Sequence, residues 1–242
     1  PLDPVTTPAP APGATPASPS AAWSWRTWVV LYFISGFIAL GLELVWFRLL
    51  GVILKSTAYT FPLLLGFYLL GVGGGTLIGR WLAARSAHPT RGFLLAQAAV
   101  GLYAGLSIAL LITALETQSW LEPVRHYLAQ YDPVDFAFNF FDLKPSHAAL
   151  YIVAPALFVL PPTLLMGISF ALLQRGIQRD LAEVGRRVAA LQTANILGST
   201  CGTVLVGLVL IDRLGTSGTL QILTMMSGLF LALAIGAWSA RA

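Results

Sequence analysis

Six long apolar runs, at residues 28–50, 59–82, 92–115, 148–173, 188–211 and 217–238, alternate with polar connections that hold most of the charged side chains. An α-helix rises about 1.5 Å per residue, so about 20 apolar residues cross the ~30 Å hydrocarbon core of a bilayer. Every run reaches that length. The pattern predicts an all-α integral membrane protein, a bundle of about six transmembrane helices occupying residues 23–242. Residues 1–22 break from it: seven prolines among Ala, Thr and Ser make an extended, low-complexity tail that cannot bury a core. A protein partner is the expected means of holding such a tail in place.

The connection at 116–147 has a pattern of its own. Ser119 followed by Glu122 is a capping-box signal, and Trp120, Val124, Tyr127, Leu128 and Tyr131 share one helical face. This predicts one interfacial helix in a long outer loop, with Trp120 and Tyr127 as interfacial anchors and Phe136, Phe138, Phe140 and Phe141 extending an aromatic belt. The loop also offers a docking surface to a protein partner.

Composition agrees with the periodicity: 57% of the chain is hydrophobic and 10% charged, outside the range of soluble globular domains. The net charge of +4 does not imply a nucleic-acid partner, because the basic residues sit at the ends of apolar runs, where they orient helices. Nine (Arg26, Arg80, Arg85, Arg91, Arg175, Arg179, Arg186, Arg187, Arg241) fall on one side and five (Arg48, Lys55, Arg125, Lys144, Arg213) on the other. The positive-inside rule then places both termini in the cytoplasm. The N-terminal residues carry no signal-peptide pattern, and the initial Pro in place of Met suggests that sequence is missing upstream. The single Cys201 has no disulfide partner and is expected to act as a small packed hydrophobe.

Gly71, Gly75 and Gly79 recur every four residues in the second run, and Gly198, Gly202 and Gly207 punctuate the fifth. Small residues at this spacing let a neighbouring helix approach closely, so these two helices are candidates for the tightest packing. A nucleotide-loop reading of the glycines is rejected, since no strand precedes them and no Lys-Ser/Thr follows. Pro155, Pro161 and Pro162 predict a break in the fourth helix near residues 160–163, either lining a site or making a structural kink whose freed carbonyls neighbours satisfy.

Candidate chemistry concentrates at residues 37–51, FIALGLELVWFRLLG, where Glu43 lies within an apolar run. Ionisable groups at membrane depth are expensive and usually have a role. The run's 14 Leu, Ile, Val and Phe residues between positions 29 and 50 favour insertion by about 6 kcal/mol against roughly 3 kcal/mol for one central charge, so the helix still inserts. Glu43 and Arg48 are five positions apart, about 140° round a helix, and do not pair. Arg48 is near enough to the outer end to snorkel as an interfacial anchor. Residues at the depth of Glu43 on the other helices are Phe67, Tyr68, Ser107, Pro155, Thr203 and Thr224, which predicts a neutral carboxyl group hydrogen-bonded to a Tyr, Ser or Thr hydroxyl. Gln97 and Asn195, at similar depths near the inner side, are placed to bridge the third and fifth helices. His88, His126 and His147 have no metal-ligand spacing, no nucleophile elbow or facing carboxylate pair is present, and the sequence gives no reason to expect a metal, a cofactor or a catalytic site.

Three strings, FISGFIALGLELVWFRLLG, LPPTLLMGISFALL and VGRRVAALQTANILGSTCGTVLVGLVLIDRLG, taken in this order, resemble the N-terminal membrane domain of bacterial spermidine-synthase-like proteins, also described as membrane polyamine aminopropyltransferases. The resemblance implies a multi-helix module of the bacterial inner membrane, followed on the cytoplasmic side by a Rossmann-like aminopropyltransferase domain. That domain's glycine-rich loop and acidic residues have no counterpart before Ala242, so an aminopropyltransferase activity requires a chain that continues further. The leading expectation is a non-catalytic integral membrane subunit or anchor of a larger assembly. One alternative is a small-molecule transporter or half-transporter with a site near Glu43 and the broken fourth helix. The second helix, running into Arg80 and Arg85, loosely resembles the major facilitator superfamily's second-helix motif. The other alternative is the membrane portion of a polyamine aminopropyltransferase.

Overall fold

The computed structural model describes residues 23–55, 57–129, 145–177 and 184–239. The Pro-rich tail expected to meet a partner and the aromatic cluster Phe136 to Phe141 lie outside the described residues. All regular structure among the described residues is helical: α1 (Trp25–Leu54), α2 (Thr57–Arg85), α3 (Pro89–Thr117), a 3₁₀ turn (Ser119–Leu121), α4 (Glu122–Ala129), α5 (Pro145–Phe158), α6 (Leu160–Ile177), α7 (Val184–Leu205), a π turn (Val206–Leu210) and α8 (Ile211–Ser239). Among the described residues, five stretches are long and apolar enough to cross a membrane: Trp25–Leu54, Thr60–Arg85, Pro89–Thr117, Tyr151–Ile177 and Val184–Ala237. The chain is membrane-associated on that ground, and its apolar helix faces suit contact with a lipid bilayer.

Helix α1 starts where the Ser24 hydroxyl accepts the Thr27 amide and stops at Lys55, whose left-handed backbone (φ 52°) turns the chain. Its middle is the centre of the bundle, with Leu42, Val45 and Trp46 fully buried. Two intimate helix pairs, α2 with α6 and α1 with α7, meet where α1 packs on α2, while α3 packs on both α6 and α8, and α8 in turn on α1. Helix α2, in the second apolar run, packs most closely on α6, and α7, in the fifth, on α1.

The fifth stretch is 54 residues long, about twice what one crossing needs. Gly215 interrupts it with φ 67° and ψ −176°, a conformation open essentially to glycine alone. Val206 and Leu223 both lie against Gly41, whereas an unbroken helix would hold them about 25 Å apart. The chain therefore doubles back at Gly215.

The fourth-run prolines lie about where a break is expected. Val159 alone separates α5 from α6. Pro161 and Pro162 occupy the first turn of α6, where missing amides cost least, and Pro155 lies inside α5. Backbone bonding continues around the break, from Val159 N to Pro155 O (2.9 Å) and from Thr163 N to Val159 O (3.2 Å).

Candidate functional site in the membrane interior

The glycine seams fix the geometry of everything else. A Cβ on Gly75 would collide with the carbonyl of Leu164, and one on Gly71 with the Thr163 side chain. One on Gly79 would come within 2.7 Å of Ile168 Cα, while Gly167 answers from α6 against the Val72 carbonyl. The α1/α7 seam repeats this arrangement: Gly198 faces the Phe33 carbonyl, Gly202 the Phe37 carbonyl at 2.5 Å, and Gly36 the Asn195 carbonyl. Real Cβ atoms do not reach such distances, so helix backbones here touch through glycine alone.

Polar side chains in the interior mostly serve these contacts. Asn195 Nδ2 donates to Tyr32 O and Ser199 Oγ to Gly36 O, both at 3.3 Å, so α7 holds two successive turns of α1. Gln97 Nε2 donates to Ser169 Oγ (2.8 Å), which donates to Met166 O (2.7 Å). Gln97 and Asn195 consequently do not bridge α3 to α7: similar depth gave them no common partner, because α6 lies against α3 and α1 against α7. Cys201 is exposed rather than packed, since Gly198 and Gly202 turn the other face of α7 towards α1.

Glu43 is half-buried and has Tyr68 of α2 as an electrostatic neighbour. Tyr32, about 16 Å before Glu43 along α1, packs its ring against Phe93 of α3 and Phe170 of α6. No hydrogen bond or ion pair joins Glu43 to Tyr68 or to any other described residue, and the hydroxyl contact expected from the sequence is not made. Arg48 is exposed near the end of α1 and does not meet Glu43. Trp46, one turn from Glu43, is fully buried with its indole Nε1 unpartnered among the described residues.

The break before α6 draws in a residue that the sequence reading missed. Pro161 cannot donate to the carbonyl of Leu157, and the Tyr103 hydroxyl on α3 donates to that oxygen at 2.8 Å instead. Thr163 Oγ1 donates to both Val159 O (2.8 Å) and Leu160 O (3.0 Å). The freed carbonyl was foreseeable, but its donor sits 54 positions away and no local pattern marks it.

At the Lys55 end of α1, the orphan carbonyls of its last turn are met by two tyrosines. Tyr127 Oη donates to Ile53 O (3.2 Å) and Tyr151 Oη to Leu54 O (2.9 Å), and Lys55 Nζ lies 4.2 Å above the Tyr127 ring. Burial raises the Tyr127 phenol above its ordinary range, which keeps it a donor. Its neighbours Leu121, Val124 and Leu128 turn inward with it, while Trp120 is 72% exposed. Ser119 does not form the expected capping box: the 3₁₀ turn is capped at Gln118 without a side-chain bond, and Glu122 pairs with Arg125 at 3.4 Å in solvent.

No group of three or more His, Cys, Asp or Glu residues that can hold a metal occurs among the described residues. No protein family, curated protein or solved structure matches this chain.

Proposed function

We propose that this chain is a non-catalytic membrane module, a subunit or anchor in a larger membrane assembly of the bacterial inner membrane. The observation that carries the reading is the pair of glycine seams, which lock helices backbone to backbone into a rigid platform, while Glu43, the one carboxyl group of α1, makes no hydrogen bond or ion pair among the described residues. The reversal at Gly215 supports dividing the 54-residue stretch into two crossings, giving six in all. The excess of Arg on the Trp25 side supports a cytoplasmic placement of both ends. Such a module is similar in kind to the membrane domain of spermidine-synthase-like proteins suggested by its three sequence strings. The test is extraction from native membranes by mild detergent followed by native mass measurement. The reading requires a mass well above the monomer's 25.8 kDa after allowing for detergent, and migration as a monomer overturns it.

Transport is the second reading, favoured by one observation: Glu43 is a half-buried carboxyl group in the middle of a stretch long and apolar enough to cross a membrane, with Tyr68 of α2 as an electrostatic neighbour. A Cys at position 43, in a background lacking Cys201, distinguishes the two. Labelling by membrane-impermeant thiol reagents indicates an aqueous path and supports transport; protection from both sides supports the module.

A further inference from the structure

Two arginines close the α2/α6 seam side by side. The two helices run parallel: Gly71 meets Thr163, Gly75 meets Leu164, and Gly79 meets Ile168 and Ala171, in step along both. A Cβ on Gly74 would lie 3.4 Å from Leu164 Cδ2, which marks one flank of the seam. Arg85 is eleven positions beyond Gly74, and Arg175 is eleven beyond Leu164. Eleven residues make about three helical turns and end within about 20° of the starting direction. Both arginines therefore reach that same flank at the same level. Ala83, one turn beyond Gly79 on the seam side, is buried, as helices that stay together to this end require.

Both side chains are exposed, and the Arg85 guanidinium lies 4.0 Å over the ring of Trp81, which leaves its in-plane N–H groups open to an acceptor. Arg175 makes no hydrogen bond or ion pair among the described residues. Each arginine sits in the last turn of its helix, whose end carries about half a negative charge. Two full cations outweigh two such ends by about one unit. Helices α3 and α7 begin at this same end, Thr90 lying against Gly176 and Arg187 Nη1 donating to Ile177 O at 3.4 Å. Among the described residues, none of these helix ends brings an Asp or Glu to offset the remaining charge. The adjoining surface of α2 is apolar and uncovered, with Trp81 58%, Leu77 69% and Ile78 50% exposed. The pair thus stands where the stretch Thr60–Arg85 ends, at the depth of lipid headgroups.

We infer that Arg85 and Arg175 together bind the phosphodiester of an anionic phospholipid, whose acyl chains lie on the exposed side chains of α2. The charge left over at the pair matches the single negative charge of a phosphodiester, and guanidinium forks fit its two free oxygens. Trp81 holds one fork in place and seats its indole at the bilayer interface. A zwitterionic lipid fits less well, because its ammonium meets no carboxylate among the described residues at this end. The binding needs only this chain and is independent of the assembly reading.

The test is native mass spectrometry of the purified full chain, titrated in detergent with phosphatidylglycerol, phosphatidylcholine or inorganic phosphate. The first phosphatidylglycerol should bind about tenfold tighter than phosphatidylcholine, and inorganic phosphate should not displace it. R85Q and R175Q should each weaken that binding about tenfold, as the loss of a charge-assisted hydrogen bond demands. R80Q removes an equally exposed arginine about 140° round α2 from Arg85 and should leave the affinity unchanged. Thermal midpoints verify that the variants keep the fold; should R175Q fail to fold, R85Q decides. Equal binding of phosphatidylcholine, displacement by inorganic phosphate, an affinity unchanged in R85Q, or an equal loss in R80Q overturns the inference.

Discussion

The α2/α6 seam and the α3/α8 seam both use glycine, with different consequences. In α2/α6, the space beside Gly75 is filled by the Leu164 carbonyl and that beside Gly167 by the Val72 carbonyl, so backbone meets backbone. In α3/α8, Gly101 faces the Ser227 side chain and Gly105 the Thr224 hydroxyl, 2.7 Å from a Cβ added there. A side chain can be replaced; a helix carbonyl cannot. The first seam sets the bundle's geometry and the second adjusts to it. Thr224 Oγ1 even donates to Gly101 O at 3.3 Å, using the closeness for a hydrogen bond.

The largest effect should come from Gly75→Leu, which forces a whole side chain into helix backbone. Overpacking without a soft neighbour costs about 3 kcal/mol or more, and the variant should be lost from the monodisperse peak in detergent chromatography. Gly101→Ala should cost about 2 kcal/mol, read as a lowered thermal midpoint, and adding Ser227→Gly should recover most of it. No such second-site rescue should exist for Gly75, and finding one in a side chain of α6 breaks the comparison. Tyr103→Phe leaves the Leu157 carbonyl without its donor and should cost about 1–2 kcal/mol; an unchanged midpoint means that another group serves that oxygen. At the small end, Gly66 has open space beside it, and Gly66→Ala should raise helix stability by about 0.5–1 kcal/mol.

The sequence made the helices legible because apolar run length is a strong local signal. It also marked Gly71, Gly75, Gly79, Gly198 and Gly202, since spacing by fours shows in one dimension. Which helix each glycine meets was not legible: α6 and α1 are chosen by the whole bundle, and the answering Gly167 and Gly36 carry no repeat of their own. Gln97 and Asn195 were likewise visible as polar residues at membrane depth, but depth does not specify azimuth, so their partners Ser169 and the Tyr32 carbonyl were missed. The tyrosines serving Ile53, Leu54 and Leu157 act over 74, 97 and 54 positions, where orphan carbonyls predict a donor without naming it. Glu43 stood out from the start, and its lack of a hydrogen bond among the described residues required the structure.

The backbone-on-backbone seam is tested most directly by a disulfide between Cys residues at positions 74 and 164, in a chain lacking Cys201 and cleavable between α2 and α3. A Cβ at Gly74 would lie 3.4 Å from Leu164 Cδ2, so the two positions face each other across the seam, and small helix motions in the membrane bring their Cβ atoms to the ~3.8 Å separation of a disulfide. Mild oxidation in membranes should keep the two cleaved fragments together on a non-reducing gel and release them on reduction. Fragments that separate despite oxidation, while a Cys at position 74 crosslinks instead to α7, would contradict the pairing of α2 with α6.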